Sequence, residues 1–248
     1  MVDNETLIKL RSMHLSGMAE CSESLASLPQ DRGYSAPEVV KLICDHEWDR
    51  RQSSKLRRLQ KRAGLAQPFA DVCDIRMVDR RRIDTELIAR LAIGGYLMKH
   101  QDVVLQGTTG SGKTFVACAL ANKACQQFKK VLYLTAADLI DRLTIVAQGT
   151  ERRRALDALV AVELLVVDDW FLRAPTAEQA QNLHVLVDRR HQRASTIFCT
   201  QLSPSDWHDQ IEEKVIADAI VDRITTNSHT MELDCADSLR RVFSTLDY

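Results

Sequence analysis

The sequence predicts an α/β protein, a parallel sheet between helices, preceded by a small helical N-terminal region. Three observations carry this reading. From residue 84 onward, short apolar runs alternate with helical stretches of roughly 10–16 residues. One of those runs, Asp102-Val-Val-Leu-Gln106, is followed at once by a glycine-rich turn that opens the next helix. Before residue 64, apolar residues recur at helical spacing only.

In the N-terminal region, Val39, Leu42, Ile43 and His46 share a helical face, and Pro37 sits where a first turn tolerates it. The predicted helix runs over 37–63, with Gly64 and Pro68 as stop signals. Trp48 reads as a buried anchor, with DNA contact as the alternative. Residues 64–84 read as a linker or strap ending near Arg80-Arg81-Arg82. Beyond it the expected order is helix 84–98, strand 102–106, helix 113–128, strand 131–134, helices 136–147 and 151–162, strand 164–168, helix 177–192 and strand 196–200. Such alternation implies parallel strands covered on both faces.

Composition narrows the function classes. The 248 residues carry 33 Lys+Arg and 34 Asp+Glu, a net charge of −1, with 45% hydrophobic residues, an ordinary globular mix. No run approaches the roughly 20 apolar residues of a membrane span, and the N-terminus lacks an apolar signal core. Seven cysteines are scattered without a Cys-x-x-Cys pair, which argues against structural zinc and for reduced thiols in the cytoplasm. The seven histidines form no ligand cluster, so no metal beyond Mg²⁺ is expected. Near-neutrality hides an asymmetry. Residues 1–82 hold 15 basic and 12 acidic side chains, whereas 83–248 hold the other 18 and 22. Arg50, Arg51, Lys55, Arg57, Arg58, Lys61 and Arg62 form a basic run without an acid. It is either a solvated helix face or a contact for phosphates.

The chemistry centres on Gly107-Thr108-Thr109-Gly110-Ser111-Gly112-Lys113-Thr114, the full G-x-x-x-x-G-K-[ST] pattern between strand and helix. Glycines let backbone N–H groups turn inward around phosphates, and the helix N-terminus adds positive potential. Lys113 is placed for the β/γ-phosphates and the Thr114 hydroxyl for Mg²⁺. A second motif, Leu164-Leu-Val-Val-Asp168-Asp169, reads as a buried strand delivering carboxylates beside that loop. Asp168 then serves Mg²⁺, and Asp169 orients or deprotonates an attacking water. Arg223 reads equally as a helix C-terminal cap or as an arginine finger offered to a neighbouring subunit.

Several segments together resemble the IstB-like transposition helper ATPases, relatives of the DnaC-type helicase loaders in the AAA+ class. They are Leu10-Arg-Ser-Met13 with Gly17-Met-Ala19, the loop running into Ala117-Cys-Ala-Leu-Ala121, Val166-Val-Asp-Asp-Trp170, Ser195-to-Leu202 with Trp207-His208, and Ala217-to-Arg223. The resemblance spans nearly the whole chain. It implies a P-loop AAA+ core without a C-terminal lid, ATP and Mg²⁺ as ligands, and oligomers on duplex DNA that serve a partner transposase. It also implies Lys113 and Thr114 as Walker A positions, Asp168 and Asp169 as the Walker B pair, Gln201 beside Thr200 as a polar sensor, Arg223 as the finger, and Arg240 as a second sensor.

Two departures matter. Many AAA+ enzymes carry Glu where Asp169 stands, so slow hydrolysis is expected. The chain closes at Tyr248 soon after the last strand, which leaves no room for a lid and weakens any role for Arg240. The expected organisation is therefore a helical DNA- and partner-contacting domain over 1–68 and an ATPase domain over 69–248. DNA contacts are expected at the basic run and at Arg80, Arg81 and Arg82, to phosphates and largely independent of base sequence. A helicase loader of the same clade, a small-molecule P-loop kinase and a nucleotide-gated scaffold with little turnover are the alternatives.

Overall fold

A computed structural model describes residues 3–27, 33–75, 81–144 and 150–235 of the chain. Among these the chain divides into two compact units, Met1–Arg58 and Leu59–Tyr248, the division falling within a long helix.

The first unit contains α1 (Asn4–Ser12), α2 (Ser16–Ala26) and most of α3 (Ala36–Ala63). Asp3 caps α1 by accepting from the Thr6 amide at 2.6 Å. Ahead of α3, Glu38 accepts from both the amide and the hydroxyl of Ser35, so the start expected at Pro37 lies one residue late. The inward residue of this helix is Glu47, 6% exposed, and not the neighbouring Trp48, which is 64% exposed. This corrects the expectation of a buried Trp48, and the reason is electrostatic. The Glu47 carboxylate accepts from the amides of Gly17 at 2.7 Å and Met18 at 3.2 Å, in the first turn of α2, and from Arg51 at 2.6 Å. An acid there meets orphan N–H groups and the positive end of the α2 dipole. Successive helical residues are about 100° apart, so seating Glu47 turns Trp48 outward. Gly17 permits the approach: a Cβ on it would stand 2.9 Å from the Glu47 Cα.

In the second unit, residues 65–75 form a docked strap. Asn122, buried on the helix behind the glycine-rich turn, donates to the carbonyls of Pro68 and Ala70 at 2.9 Å each and accepts from Gln60. The strap ends in α4 (Val72–Ile75), and β1 (Arg81–Arg82) lies in the same stretch, which was expected to be a linker or strap. The helix expected over 84–98 divides at Gly94 (φ +87°) into α5 (Thr85–Ile93) and α6 (Gly95–Met98). Then come β2 (Asp102–Gly107), α7 (Lys113–Gln126), β3 (Val131–Thr135), α8 (Ala136–Thr144), α9 (Thr150–Val160), β4 (Leu164–Trp170), α10 (Ala177–Arg190), β5 (Ser195–Thr200), α11 (Pro204–Gln210), α12 (Lys214–Thr225) and β6 (Ser228–Cys235).

The strand order is β1-β6-β2-β5-β4-β3, parallel throughout except for β1, which pairs antiparallel on the β6 edge. Alternate residues of each strand face opposite layers. Val104, Leu165, Val167 and Phe198 join the core formed with α8, α10, α11 and α12. The opposite face carries α7 with its buried Val116, Leu120 and Ala121. Burying both faces explains why these strands read as near-continuous apolar runs.

The start of β2 is pinned by charge. Asp102 accepts from the Thr196 amide at 2.6 Å. Arg190, 3% exposed, donates to the carbonyls of Leu159 at 2.6 Å and Val162 at 3.0 Å and to the Thr196 hydroxyl at 3.1 Å. Burial pushes the Asp102 carboxyl up to about 7, against the Thr196 hydrogen bonds and the nearby Arg190 charge. This network sets the β2/β5 register, and with it the height at which β2 runs out into Gly107.

Candidate nucleotide site

The site lies at the C-terminal ends of β2, β5 and β4, where an open parallel sheet receives its ligand. β2 ends at Gly107, and the turn to α7 passes through Gly110 (φ +83°) and Gly112 (φ +88°), left-handed conformations that side chains rarely adopt. Gly107 is required for another reason. A Cβ there would stand 2.3 Å from the Leu233 carbonyl of β6 and 2.8 Å from the Ser111 hydroxyl. The first-turn amides of α7, behind Gly112, have no acceptor within the helix.

Lys113 is 8% exposed, and its ammonium donates to the carbonyls of Gly107 at 2.7 Å and Thr108 at 2.8 Å. The Thr114 hydroxyl donates to Asp168 Oδ2 at 2.7 Å. The Ser111 hydroxyl is buried with no hydrogen-bond partner among the described residues. A cationic head bent back on its own loop, an unanswered buried hydroxyl and a hydroxyl–carboxylate pair fit a polyphosphate with a hard divalent cation.

Asp168 and Asp169 were adjacent acids in the sequence; the sheet separates them. Val167 pairs with Phe198 and Trp170 with Thr200, so both acids oppose Cys199 alone, a β-bulge. Asp168, 5% exposed, turns inward to α7, while Asp169 is exposed with φ +57°. Asp168 Oδ1 accepts from the Asp169 amide at 3.0 Å, which ties the bulge to the inward carboxylate. A non-glycine residue held in the left-handed region marks a place where the fold overrides local preference.

One site residue escapes sequence reasoning. Tyr133 of β3 donates to the same Asp168 Oδ2 at 2.7 Å. Tyr133 pairs with Val166, so it shares a face with Asp168 one step further along β4. Burial, and then the Asp168 hydrogen bond, hold its phenol well above the usual range, as a proton donor. The only signal in the sequence is a hydroxyl-bearing aromatic in an otherwise apolar run, and nothing local says which strand it faces. The buried Cys118 and Cys199 near this carboxylate have thiols held up, chiefly by burial, which makes them poor nucleophiles.

The other expected site residues are spread out. The register that pairs Gln106 with Thr200 brings Gln201, exposed, level with Gly107. Thr200 itself is occupied, donating to the Trp170 carbonyl and accepting from the Trp207 indole N–H at 3.2 Å. Trp170 packs with Phe171, Phe198 and Trp207, so the tryptophan of the Asp-Asp-Trp segment is a core residue under the site. Arg223, in the last turn of α12, forms an ion pair with Asp188 of α10 at 2.8 Å and donates to Ala219 O. Arg51, Arg57, Arg58, Lys61 and Arg62 are exposed along α3, as are Arg50, paired with Glu20, and Lys55. Arg81 and Arg82 form β1; Arg80 and Arg240 lie outside the described residues.

A five-stranded parallel core in this order, with this loop and this strand-end acid, defines a P-loop ATPase fold of the AAA+ class. Within that class the chain belongs to the IstB-like ATP binding protein family, whose model matches residues 8–245. A Sinorhizobium fredii protein described as an insertion-sequence ATP-binding protein is 36% identical over 244 residues, covering 97% of this chain and 98% of its own. The DnaC helicase loader shares the fold at a TM-score of 0.54 and 18% identity, over 60% of this chain and 88% of that one. AMPPCP-bound DnaA of Aquifex aeolicus does so at 0.57 and 15%, over 70% and 52%.

Proposed function

We propose that the protein binds Mg²⁺·ATP in the Gly107–Thr114 loop, assembles with itself on duplex DNA, and there recruits or stimulates a transposase, hydrolysing ATP slowly at subunit interfaces. The observation that carries the nucleotide reading is the Thr114–Asp168 contact at the mouth of the loop. The insertion-sequence relative supports the transposase. The basic face of α3 supports contact with DNA phosphates. In this reading residues 1–68 meet DNA or partner and 69–248 turn over ATP. No helix of the described residues is long and apolar enough to cross a membrane.

On nucleotide binding, Lys113 exchanges the Gly107 and Thr108 carbonyls for β/γ-phosphate oxygens, while the α7 amides take the remaining ones. Thr114 and Asp168 would hold Mg²⁺, which when bound neutralises charge on the phosphates. In this reading Asp169 would orient the attacking water from the bulge, Gln201 would serve as the polar sensor, and Arg223 would complete a neighbour's site. Arg240 keeps the second sensor role only as the resemblance implies it, weakened by the expected absence of a lid. Tyr133 holds the Asp168 carboxylate in place for the cation. Substituting Tyr133→Phe is therefore expected to raise the Mg²⁺ concentration needed for tight nucleotide binding by about 10–100-fold. Nucleotide affinity in EDTA should not change, which a fluorescent-nucleotide titration at several Mg²⁺ concentrations checks.

The experiment for the whole reading is sizing and negative-stain microscopy on duplex DNA, with a non-hydrolysable ATP analogue and separately with ADP. Discrete assemblies on DNA are expected only with the analogue. A monomer in both states, with no DNA retained, would overturn the reading. A nucleotide-gated scaffold is the second reading, favoured by the exposed Asp169 in place of a longer glutamate. Stoichiometric ATP binding without multiple turnover would select it.

A further inference from the structure

The first unit carries an open groove of about 510 Å³, lined by His14, Trp48, Arg50, Arg51, Lys55 and Arg58 among others. Its volume falls within the range of ligand sites. Trp48, Arg51, Lys55 and Arg58 follow one another at three- and four-residue steps, so one helix face presents an indole and then three cations over about 15 Å. The groove's one acid, Glu47, is buried and already holds two amides and Arg51. Arg51 also donates to the His14 carbonyl at 3.2 Å, and Arg50 pairs with Glu20. These contacts hold the wall in place before any ligand arrives. The occupant such a wall fits is anionic and has a flat apolar face.

We propose that this groove is a stacking site for an unpaired or unstacked base of bound DNA, with Trp48 as the platform and Arg51, Lys55 and Arg58 taking the flanking phosphates. It rests on the DNA-binding reading above and adds to it a preference for distorted or single-stranded DNA. Aromatic platforms beside cations are how single strands are held without sequence readout, and apolar wedges do the same at kinked duplex steps.

The protein reports on its own groove. Of its three tryptophans, Trp170 and Trp207 are 2% and 0% exposed, so a ligand from solvent reaches only Trp48. The test titrates the whole chain with a short oligothymidine, with a perfect duplex and with a duplex carrying a few unpaired thymines. Tryptophan emission and fluorescence anisotropy of labelled DNA are both followed. The expected result is quenching by the oligothymidine and the bulged duplex, with Trp48→Ala weakening those two by about tenfold and the perfect duplex much less. Arg58→Glu should weaken all three. Trp48 is exposed, so Trp48→Ala should melt with the parent, and Trp48→Phe should recover part of the lost affinity. DNA binding by anisotropy without quenching, and unaltered in Trp48→Ala, overturns the stacking site and leaves the DNA reading standing. No binding to any of the three, with or without nucleotide, overturns both.

Discussion

Replacing Lys113 with alanine is expected to cut ATP turnover by about 10²–10³-fold, the usual loss when one preorganised charge donor leaves a phosphate site. Nucleotide affinity should fall with it, because in the proposed function the same ammonium would serve bound ATP and the charge that builds up during transfer. The residue is also a small structural element. Its ammonium holds the Gly107 and Thr108 carbonyls at 2.7 and 2.8 Å in a largely buried setting. Losing it leaves those carbonyls short of a donor, at about 1–3 kcal/mol. That is a minor part of an ordinary domain's 5–15 kcal/mol, so the variant should stay folded. Steady-state turnover, fluorescent-nucleotide binding and a thermal melt check this together. Wild-type turnover in a purified Lys113→Ala protein would remove the Gly107–Thr114 loop from the chemistry.

Arg223→Ala is expected to lose about 10³-fold in turnover while keeping nucleotide affinity, as removal of an arginine finger does. The guanidinium pairs with Asp188 and with Ala219 of its own helix, and none of its hydrogen bonds is to the subunit's own phosphate loop. The pair with Asp188 is partly exposed, with side chains 31% and 52% accessible, so it is worth about 0–1 kcal/mol. A 10³-fold gain in rate would correspond to about 4 kcal/mol of transition-state stabilisation, enough for a neighbour's reacting γ-phosphate to draw the arginine from Asp188. Complementation separates a finger in trans from a local helix cap. On the proposed function, Asp169→Asn would keep Arg223 but lose its own water-orienting group, and Arg223→Ala would keep the site but lose the finger. Mixed in equal amounts, the two inactive proteins form head-to-tail interfaces, about a quarter of which join an intact site to an intact finger. Activity is expected to return in the mixture. A mixture as dead as its components, with both proteins present in the assemblies, would return Arg223 to its role as a cap with Asp188.

Much of this site was legible from local rules. The Gly107–Thr114 spacing, the apolar run into Asp168 and the helix behind Gly112 each follow from what a few adjacent residues can do sterically, and the structure places them as expected. The basic run on α3 was equally plain. The inward side of α3 was not: Trp48 was expected as a buried anchor, but ranking residues by hydrophobicity misses an acid, Glu47, drawn inward by helix amides. The two adjacent acids showed the same limit. In a regular strand Asp168 and Asp169 would face opposite layers, and no local pattern announces a bulge.

By itself, then, the sequence determined the class of fold, the phosphate loop, the strand-end carboxylate and the helical N-terminal region, since backbone sterics and apolar periodicity encode these within a window of some ten residues. Tertiary structure alone decided that Tyr133 shares Asp168 with Thr114, that Asn122 docks the strap, that Asp169 stands out on a bulge, and that Arg223 rests on Asp188. Each of these is a contact between distant segments. Strand register and helix docking set such contacts, and those depend on how the whole core packs rather than on any stretch of neighbours.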